Sequence, residues 1–464
     1  MSGFVDFANR LIWGAPALAL ILGVGVYLSI KTGLVQFRLF PEAWKQFLRK
    51  LSGKDQTDGV SSFQALCTAL AATVGTGNLV GVAGAIALGG PGSIFWMWVC
   101  ALLGMATKFS EATLAVHFRT RENGEYVGGP MYIIRRGLGR RWTWLGTVYS
   151  FFGVFASFGV GNATQINAVI TGVNQVFDRF GLQSGGKWNF AIGILLALLV
   201  GTMLLGGAKR IGKTAEVLIP FLSGAYILLC LGALVARAQM IPSAFAAIIH
   251  GAFSPRAVTG GLAGSLLQTL RIGVSRGVFT NEAGMGTASI AHASAQVSHP
   301  VQQGMMGIME VFLDTIVICT MTALVILCSG VPIPYGEDAG GTLTTASFCA
   351  VYGNWVSVFL ALALCCFAVA TVLGWGLYGL RCAQYLLGPG VRRLYALAQT
   401  AVVVLACMLK TDTIWSLSET FNGLMAIPNL IALVLLSGVL QKLTFDYKNI
   451  GGIAAAGGTY ENFN

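Results

Sequence analysis

Four consecutive residues in the middle of a long apolar stretch could bind a small charged solute. The stretch, Ser61–Gly90, is long enough to cross a bilayer, which takes about 20 apolar residues, but Gly75-Thr76-Gly77-Asn78 near its centre is a very poor helix former. In lipid an unpaired peptide group costs several kcal/mol, so an unwound segment persists only where protein buries it or a ligand uses its amides and carbonyls. The chemistry predicted from this run is therefore ligand binding by the backbone.

A second apolar stretch contains a similar interruption, Gly273-Val274-Ser275-Arg276-Gly277, and Gly284-Met285-Gly286 marks its predicted end. The interruption also fits G-x-S-x-G, the nucleophile-elbow pattern of serine hydrolases. That motif requires a strand-to-helix turn and a histidine base, whereas this one lies in an apolar segment and all four histidines fall in predicted loops or at span ends. We expect no catalysis, and an intramembrane serine hydrolase is a remote alternative.

The composition places both interruptions in a membrane protein. Of the 464 residues 55% are hydrophobic and only 10% are charged, and the mean hydropathy is +0.73, which a soluble globule of this size would not tolerate. Long apolar runs predict an all-α polytopic protein with eleven spans. We place these spans near 11–32, 61–89, 92–119, 142–174, 189–206, 214–236, 258–283, 301–330, 355–387, 391–410 and 415–440.

The basic residues predict the orientation of these spans. Although the net charge is +11, the lysines and arginines are unevenly distributed among the loops and chain ends: twenty lie on one side of the predicted spans and six on the other. By the positive-inside rule the N-terminus faces out and the C-terminus lies in the cytoplasm, in a multi-pass plasma (inner) membrane protein. Because the charge reports topology, we expect no nucleic-acid partner.

The two interruptions predict an internal repeat. Each opens a set of five spans, and because five is odd, the second set enters the membrane from the opposite side. Paired interrupted helices in an inverted repeat are the sequence pointer to a transport site at the bilayer midplane. We divide the chain into an extra N-terminal helix with a basic loop (1–60), a first five-helix repeat (61–236), a second inverted repeat (237–440) and a cytoplasmic tail (441–464).

Two motifs carry a resemblance to a known family. TVGTGNLVGVAGAIALGGPGSIFWMW (Thr73–Trp98) and RGVFTNEAGMGTASIAHA (Arg276–Ala293) resemble the signatures of the alanine or glycine:cation symporter family. The resemblance implies the leucine-transporter fold, with discontinuous second and seventh helices, and sodium-coupled uptake of small amino acids. Members of similar sequence differ in preferring alanine, glycine, serine or glutamine, so the resemblance leaves the substrate open.

A broken helix can bind an amino acid through its backbone. The second half of the first broken helix begins near Thr76, and its first N–H groups lack intrahelical partners and carry partial positive charge. We expect a substrate carboxylate to dock on the amides of Thr76, Gly77 and Asn78, with Gly75 and Gly77 allowing close approach. The substrate ammonium then needs acceptors, and we expect unwound carbonyls near Val74 and Ser275.

The coupling ion requires oxygen ligands. In CCFAVATVLGWGLYG, Ala368, Thr371 and Val372 resemble the stretch that faces the first broken helix in this fold, so we predict a sodium site formed by the following groups: the carbonyls of Ala71, Val74 and Ala368 and the hydroxyl of Thr371. The fold often has a second hydroxyl where Val372 stands, which leaves the coordination number open. Asn78 is a candidate bridge between a second ion and the substrate.

Further candidates lie along the predicted spans. By resemblance Gln165 faces the substrate, while Asn162, one turn away, either joins it or forms an interhelical hydrogen bond. Phe279 and Trp375 can limit the side chain that the site accepts, and Ser275, Gly277 and Thr371 complete the predicted substrate set.

Three carboxyl groups and one asparagine in the predicted spans are predicted to have other roles. Glu310 and Asp314 either line the path or pair with Arg276. Glu282 and Asn281 are predicted to form an inner gate or cap rather than to touch substrate.

These observations together predict a secondary active transporter that moves alanine or glycine into the cytoplasm with sodium by alternating access. The predicted partners are a small amino acid, sodium and the lipid bilayer, with no cofactor beyond the coupling ion. Proton-coupled or exchange-type transport is the alternative, and a proton-coupled carrier would use a midplane carboxylate such as Glu310 or Asp314. The sequence does not determine the stoichiometry or the oligomeric state.

Overall fold

The computed structural model describes residues 13–51, 59–181, 185–254, 265–337, 340–408 and 412–450. This part of the chain is almost entirely helical, which agrees with the all-α prediction. The α-helices are α1 Ala15–Lys31, α2 Val35–Arg38, α3 Phe40–Leu51, α4 Ser62–Thr73, α5 Val82–Gly89, α6 Ser93–His117, α7 Pro130–Ile133, α8 Thr143–Phe158, α9 Thr164–Arg179, α10 Gly186–Ala236, α11 Ile241–Phe253, α12 Leu266–Asn281, α13 Thr287–His292, α14 Pro300–Val311, α15 Thr320–Cys328, α16 Gly340–Tyr352, α17 Val356–Leu387, α18 Arg392–Ala406, α19 Asp412–Leu435 and α20 Ser437–Ile450.

Short irregular elements join these helices. Four segments are π-helical, three are 3-10 helical and four strands form two small sheets. The π-helices are Gly77–Gly81, Ile134–Leu138, Gly159–Ala163 and Phe312–Cys319, the 3-10 helices are Arg140–Trp142, Ala238–Met240 and Pro389–Val391, and the strands are β1 Val60–Ser61, β2 Thr120–Glu122, β3 Glu125–Val127 and β4 Ala295–Gln296. β2 and β3 form an antiparallel hairpin, and β1 pairs in parallel with β4, with Val60 opposite Ala295.

The described helices support a multi-pass membrane protein, but not a definite number of spans. Five helical segments are long and apolar enough to cross a bilayer, and two bent pairs raise the number to seven. The eleven spans and the inverted repeat therefore stay predictions, and parts of predicted spans one, seven and ten and of the C-terminal tail lie outside the described residues. α10 covers two predicted spans, and Gly207, at φ 69°, interrupts it in the loop predicted between them.

The first interrupted helix is found where the sequence predicts it. α4 is capped by Ser61, whose side chain accepts from the Gln64 amide in a capping box, and the helix ends at Thr73. The chain then bends by 51° before the helix resumes at Gly77. Val74 between them is extended, with ψ 112°, which turns its carbonyl away from the helix direction. The interruption is a local property of the Val74–Asn78 sequence.

The second interruption is found, but not where the sequence placed it. The prediction of a break at Gly273–Gly277 is wrong, because α12 continues through those residues to Asn281. The break follows at Glu282–Gly286, where Glu282, Gly284 and Gly286 have φ values of 52°, 93° and 78°. Only glycine adopts such values readily, so this is the segment that cannot remain helical.

Helix packing explains why Gly273 and Gly277 are glycine although the helix does not break there. A methyl group on Gly273 would lie 2.4 Å from the Ser93 carbonyl oxygen, and one on Gly277 would lie 3.1 Å from the Cys100 Cβ. Both contacts are with α6, the buried helix against which α12 and α14 pack. Small residues allow such close helix contacts in membranes, where lipid gives no hydrophobic drive to association.

One packed helix was not predicted from the sequence. α11 contains only 13 residues, whereas a membrane span takes about 20. It packs against the start of α6, where the Trp96 indole donates to the Ala252 carbonyl.

Candidate functional site

A small cavity lies where the two interrupted helices meet. Its volume is about 20 Å³, and it contains seven residues that the sequence predicted for the substrate site. It is lined by Ala72, Thr73, Gly75, Thr76, Gly77, Val160, Gln165, Phe279, Glu282, Thr371, Trp375 and Asn422. Five parts of the fold supply these residues: the two interrupted helices, the α8–α9 region, α17 and α19. Residues that are distant along the chain therefore line one cavity, and both interrupted helices contribute to it.

Asn78 stabilises the first break instead of lining this cavity. Its Oδ1 accepts from the Gly75 amide at 2.8 Å, while its Nδ2 donates to the Asp314 carboxylate at 2.7 Å and to the Asp314 carbonyl at 3.1 Å. A continuous helix would direct the Gly75 amide at the Ala71 carbonyl. The Asn78 side chain takes that donor, which leaves the Ala71 oxygen available to another partner.

That partner is Thr371, which is one of the residues in the predicted sodium site. Its hydroxyl donates to the Ala71 carbonyl at 3.1 Å and to the Phe367 carbonyl at 3.1 Å. Val74 and Ala368, which supply the remaining predicted ligands, are fully buried. The structure therefore brings a hydroxyl from α17 to a carbonyl released by the break, and such neutral oxygens are the donors that hard cations prefer.

Gln165 faces the cavity with an unused hydrogen-bonding atom. Its Nε2 donates to the Val160 carbonyl at 3.2 Å, across the π-helical turn of Gly159–Ala163, whereas its buried Oε1 has no partner in the described part of the chain. Asn422 on α19 also lines the cavity, and its buried Oδ1 is likewise without a described partner. The cavity therefore contains two amide oxygens that can accept hydrogen bonds.

Trp375 and Phe279 occupy different positions in the cavity. The Trp375 indole is buried, and its N–H donates to Glu282 at 3.1 Å. Phe279 lines both this cavity and a larger one of about 560 Å³. Phe279 is thus shared by the two cavities.

Three predicted substrate residues lie outside the cavity. Asn78 acts through Gly75, as described above. Gly277 packs on α6, and Ser275 lines the larger cavity together with Arg276. Because α12 is helical at Ser275, this residue has no unwound carbonyl to offer an ammonium group, and that expectation is wrong.

The structure also answers the questions left open for three polar side chains. Asn162 donates to the Gln399 carbonyl at 3.0 Å, so it forms the interhelical contact. Glu310 does not pair with Arg276, because its carboxylate contacts Lys108 Nζ at 3.0 Å and His292 Nε2 at 2.9 Å. Asp314 forms no ion pair within the described residues.

A carboxylate on α6 holds the second break in place. Glu111 Oε1 accepts from the amides of Gly284 and Gly286 at 3.0 and 3.1 Å and from Asn429 Nδ2 at 2.7 Å. The Asn429 amide also donates to the Gly284 carbonyl at 2.9 Å. These contacts come from two other helices, so the shape of the break depends on tertiary structure.

Sequence reasoning missed several lining residues. Glu282 was expected to be a gate or cap, and Ala72, Thr73, Val160 and Asn422 were not considered. A signal existed for Asn422, because a polar side chain in a mostly apolar span is expensive and is often functional. Ala72 and Val160 are apolar residues in helices and carry no such signal.

Comparisons with known proteins identify the family of this chain. The sequence model of the sodium:alanine symporter family matches residues 1–452. An uncharacterized transporter of Haemophilus influenzae is 44% identical, covering 95% of this chain and 94% of its own, and the sodium/alanine symporter AgcS of Methanococcus maripaludis is 42% identical, covering 96% and 97%.

The fold is shared with a solved transporter structure. MhsT, solved in complex with L-phenylalanine, matches with a TM-score of 0.58 at 12% identity and covers 84% of this chain and 99% of its own. At this identity the match shows the fold alone, which is leucine-transporter-like as predicted. The relatives are transporters, which confirms the prediction of a carrier that is not an enzyme. The chain belongs to the sodium:alanine symporter family.

Proposed function

We propose that this sodium-coupled amino-acid symporter brings alanine or glycine into the cytoplasm by alternating access. The observation that carries the proposal is the cavity between the two interrupted helices, where the Gly75–Gly77 backbone faces Gln165, Trp375 and Phe279. A site enclosed by two large aromatic rings favours a substrate with a small side chain.

The substrate carboxylate binds at the first break in this proposal. Thr76 and Gly77 line the cavity at the start of the resumed helix, where amides lack intrahelical partners and the helix dipole favours an anion. Glycine at position 77 is also required by packing, because a methyl group there would lie 2.9 Å from Thr280 Cγ2. Because the backbone amides of Thr76 and Gly77 bind the carboxylate, the anion site needs no basic side chain. The absence of a buried positive charge favours release of the substrate.

The sodium ion binds beside it in this proposal. The carbonyls of Ala71, Val74 and Ala368 and the hydroxyl of Thr371 are its ligands, and the Thr371 to Ala71 contact supports this assignment. The ion stabilises the interrupted conformation of the first helix, and that conformation presents the amides to the substrate. Sodium and substrate therefore favour each other's binding through one shared segment.

The orientation and the repeat organisation are also proposed. The asymmetry of basic loops supports an outward N-terminus and a cytoplasmic C-terminus. Two interrupted helices, α4–α5 and α12–α13, support a five-plus-five repeat over 61–236 and 237–440. The 1–60 segment and the tail at 441–464 lie outside the repeat.

Uptake by proteoliposomes tests this function. We expect accumulation of labelled alanine when sodium is imposed outside, and inhibition by excess glycine. Glutamine and serine at equal concentration measure the preference for small side chains. Accumulation that ignores the sodium gradient and follows an imposed proton gradient would contradict the coupling ion.

Proton coupling is a second candidate because of Asp314. This carboxylate is fully buried beside the first break, accepts from Asn78 and Thr315, and has no ion pair among the described side chains. Asp314→Asn discriminates between the two ions. Under sodium coupling a sodium gradient still drives uptake in this variant, although uptake is slower, whereas under proton coupling uptake no longer follows a proton gradient. Thr315→Val is the matched control, because it removes the hydroxyl that donates to Asp314 at 2.7 Å but keeps the carboxyl group.

A further inference from the structure

We propose that Glu282 receives the α-ammonium group of the substrate. The inference rests on the proposed function, since it assumes a zwitterionic amino acid in the cavity, and it assigns the one charged side chain that lines that cavity. It replaces the expected acceptor at Ser275, which the continuous α12 helix excludes.

Backbone strain points to a role for Glu282 beyond ending a helix. The residue ends α12 in the left-handed conformation, with φ 52° and ψ 23°. Glycine is the usual residue at such a position, because a side chain there is disfavoured. Only two other non-glycine residues in the described ranges have positive φ, Leu34 and Asn123, and both are outside the site. Glutamate at this position has a conformational cost that glycine would avoid, and it places a carboxylate at the cavity wall.

The hydrogen bonds show how the carboxylate is oriented. Oε1 accepts from the Trp375 indole at 3.1 Å, and Oε2 accepts from the Thr287 hydroxyl at 2.6 Å. An indole N–H can only donate, so the oxygen facing Trp375 acts as an acceptor. A carboxylate has about four lone-pair positions, which leaves capacity for a further donor. These bonds fix the group at the cavity wall while it remains able to accept.

The charge of Glu282 is not neutralised by a direct partner. The side chain is 4% exposed, and no ion pair is formed with it within the described residues. A buried carboxylate is costly unless a cation or several hydrogen bonds compensate it. A substrate ammonium in the cavity supplies that cation, whereas a solute without an ammonium does not.

Other lining atoms complete an ammonium site. Gln165 Oε1 and Asn422 Oδ1 are buried acceptors without described partners. An ammonium has three donors, which matches one carboxylate and two amide oxygens. The amides of Thr76 and Gly77 belong to the other break, so one zwitterion can be bound at both ends.

Ligand competition tests this assignment. The full-length protein is purified in detergent with saturating sodium, and labelled alanine is displaced by unlabelled alanine or by L-lactate, which has a hydroxyl in place of the ammonium. In Glu282→Gln we expect alanine to bind about 100-fold more weakly, while the inhibition constant of lactate changes by less than about threefold. Glu282→Asp, which keeps the charge, is expected to retain the preference for alanine over lactate.

Trp375→Phe serves as the matched comparison. It removes the indole donor but keeps the charge, so we expect it to weaken alanine and lactate by similar factors. If Glu282 only positions Trp375, then Glu282→Gln and Trp375→Phe will weaken alanine equally, and the proposal is overturned. Alanine binding to Glu282→Gln at the wild-type affinity overturns it as well. A wild-type protein that binds neither alanine nor glycine refutes the proposed function instead, so the two failures are distinguishable.

Discussion

Replacement of Thr371 by valine tests the proposed sodium site most directly. Valine has nearly the shape of threonine but no hydroxyl, so the variant removes one of the four proposed ligands. The Thr371 hydroxyl also satisfies the Ala71 carbonyl at 3.1 Å, and that carbonyl has lost its helical donor because the Gly75 amide donates to Asn78. The change therefore removes an ion ligand and leaves a buried acceptor unpaired.

The expected magnitude follows from these two losses. A buried acceptor without a partner costs about 1–3 kcal/mol. That cost falls on the ion-free protein, whereas a missing ligand of comparable worth destabilises the sodium-bound protein. We expect the lost ligand to dominate, so that the sodium concentration for half-maximal alanine binding rises by about 10- to 100-fold. Alanine affinity at saturating sodium should change by less than about threefold.

The assay is sodium-dependent binding of labelled alanine to the purified protein. Thr371→Ser restores the hydroxyl and should recover most of the sodium affinity. Thr344→Val is a matched control, because the Thr344 hydroxyl donates to the Leu79 carbonyl at 2.7 Å on the same interrupted helix but outside the cavity. A half-saturating sodium concentration for Thr371→Val within twofold of the wild-type value would refute the ligand assignment.

Two further substitutions test the framework around the site. A methyl group on Gly161 would lie 2.3 Å from Trp375 Cβ, so Gly161→Ala should displace the indole. We expect this variant to lose about 1–3 kcal/mol of stability and to bind alanine more weakly. Gly172→Ala is the control and should change neither stability nor alanine binding, because its methyl group would have no atom closer than 3.7 Å. Lys108→Met leaves the buried Glu310 carboxylate with only His292 and should cost about 3–5 kcal/mol in thermal unfolding. Much of that loss should return in the double variant with Glu310→Gln, and a single variant as stable as the wild type would contradict the pairing.

The two interrupted helices show which features of the fold were readable from the sequence. The first break was predicted correctly, because Gly75-Thr76-Gly77-Asn78 disfavours a helix by itself and Asn78 caps the gap from three residues away. The second was displaced by several residues, because glycine has two uses. At Gly273 and Gly277 the missing side chain allows α6 to approach. Of these four glycines, only Gly284 and Gly286 have the positive φ values that glycine adopts readily.

Some residues of the site could likewise be predicted from the sequence, and others could not. Gly75, Thr76 and Gly77 could be named from their local sequence, Gln165 and Thr371 from the resemblance, and Phe279 and Trp375 as aromatic residues in the predicted spans. All seven line the cavity. Glu282 and Asn422 could not be assigned, because their role depends on which atoms face them. Likewise the sequence offered Arg276 as the partner of Glu310, whereas the fold supplies Lys108 and His292.

The amino-acid sequence by itself determined that this chain is a helical membrane carrier with a helix that must open near Gly75, because hydropathy, charge bias and helix propensity are local quantities that need no folded structure. The position of the second break, the pairing of the buried charges and the composition of the cavity were decided only by tertiary structure. Each depends on a contact between distant segments, such as Glu111 with Gly284 or Trp375 with Glu282, and the separation of such residues along the chain carries no information about it.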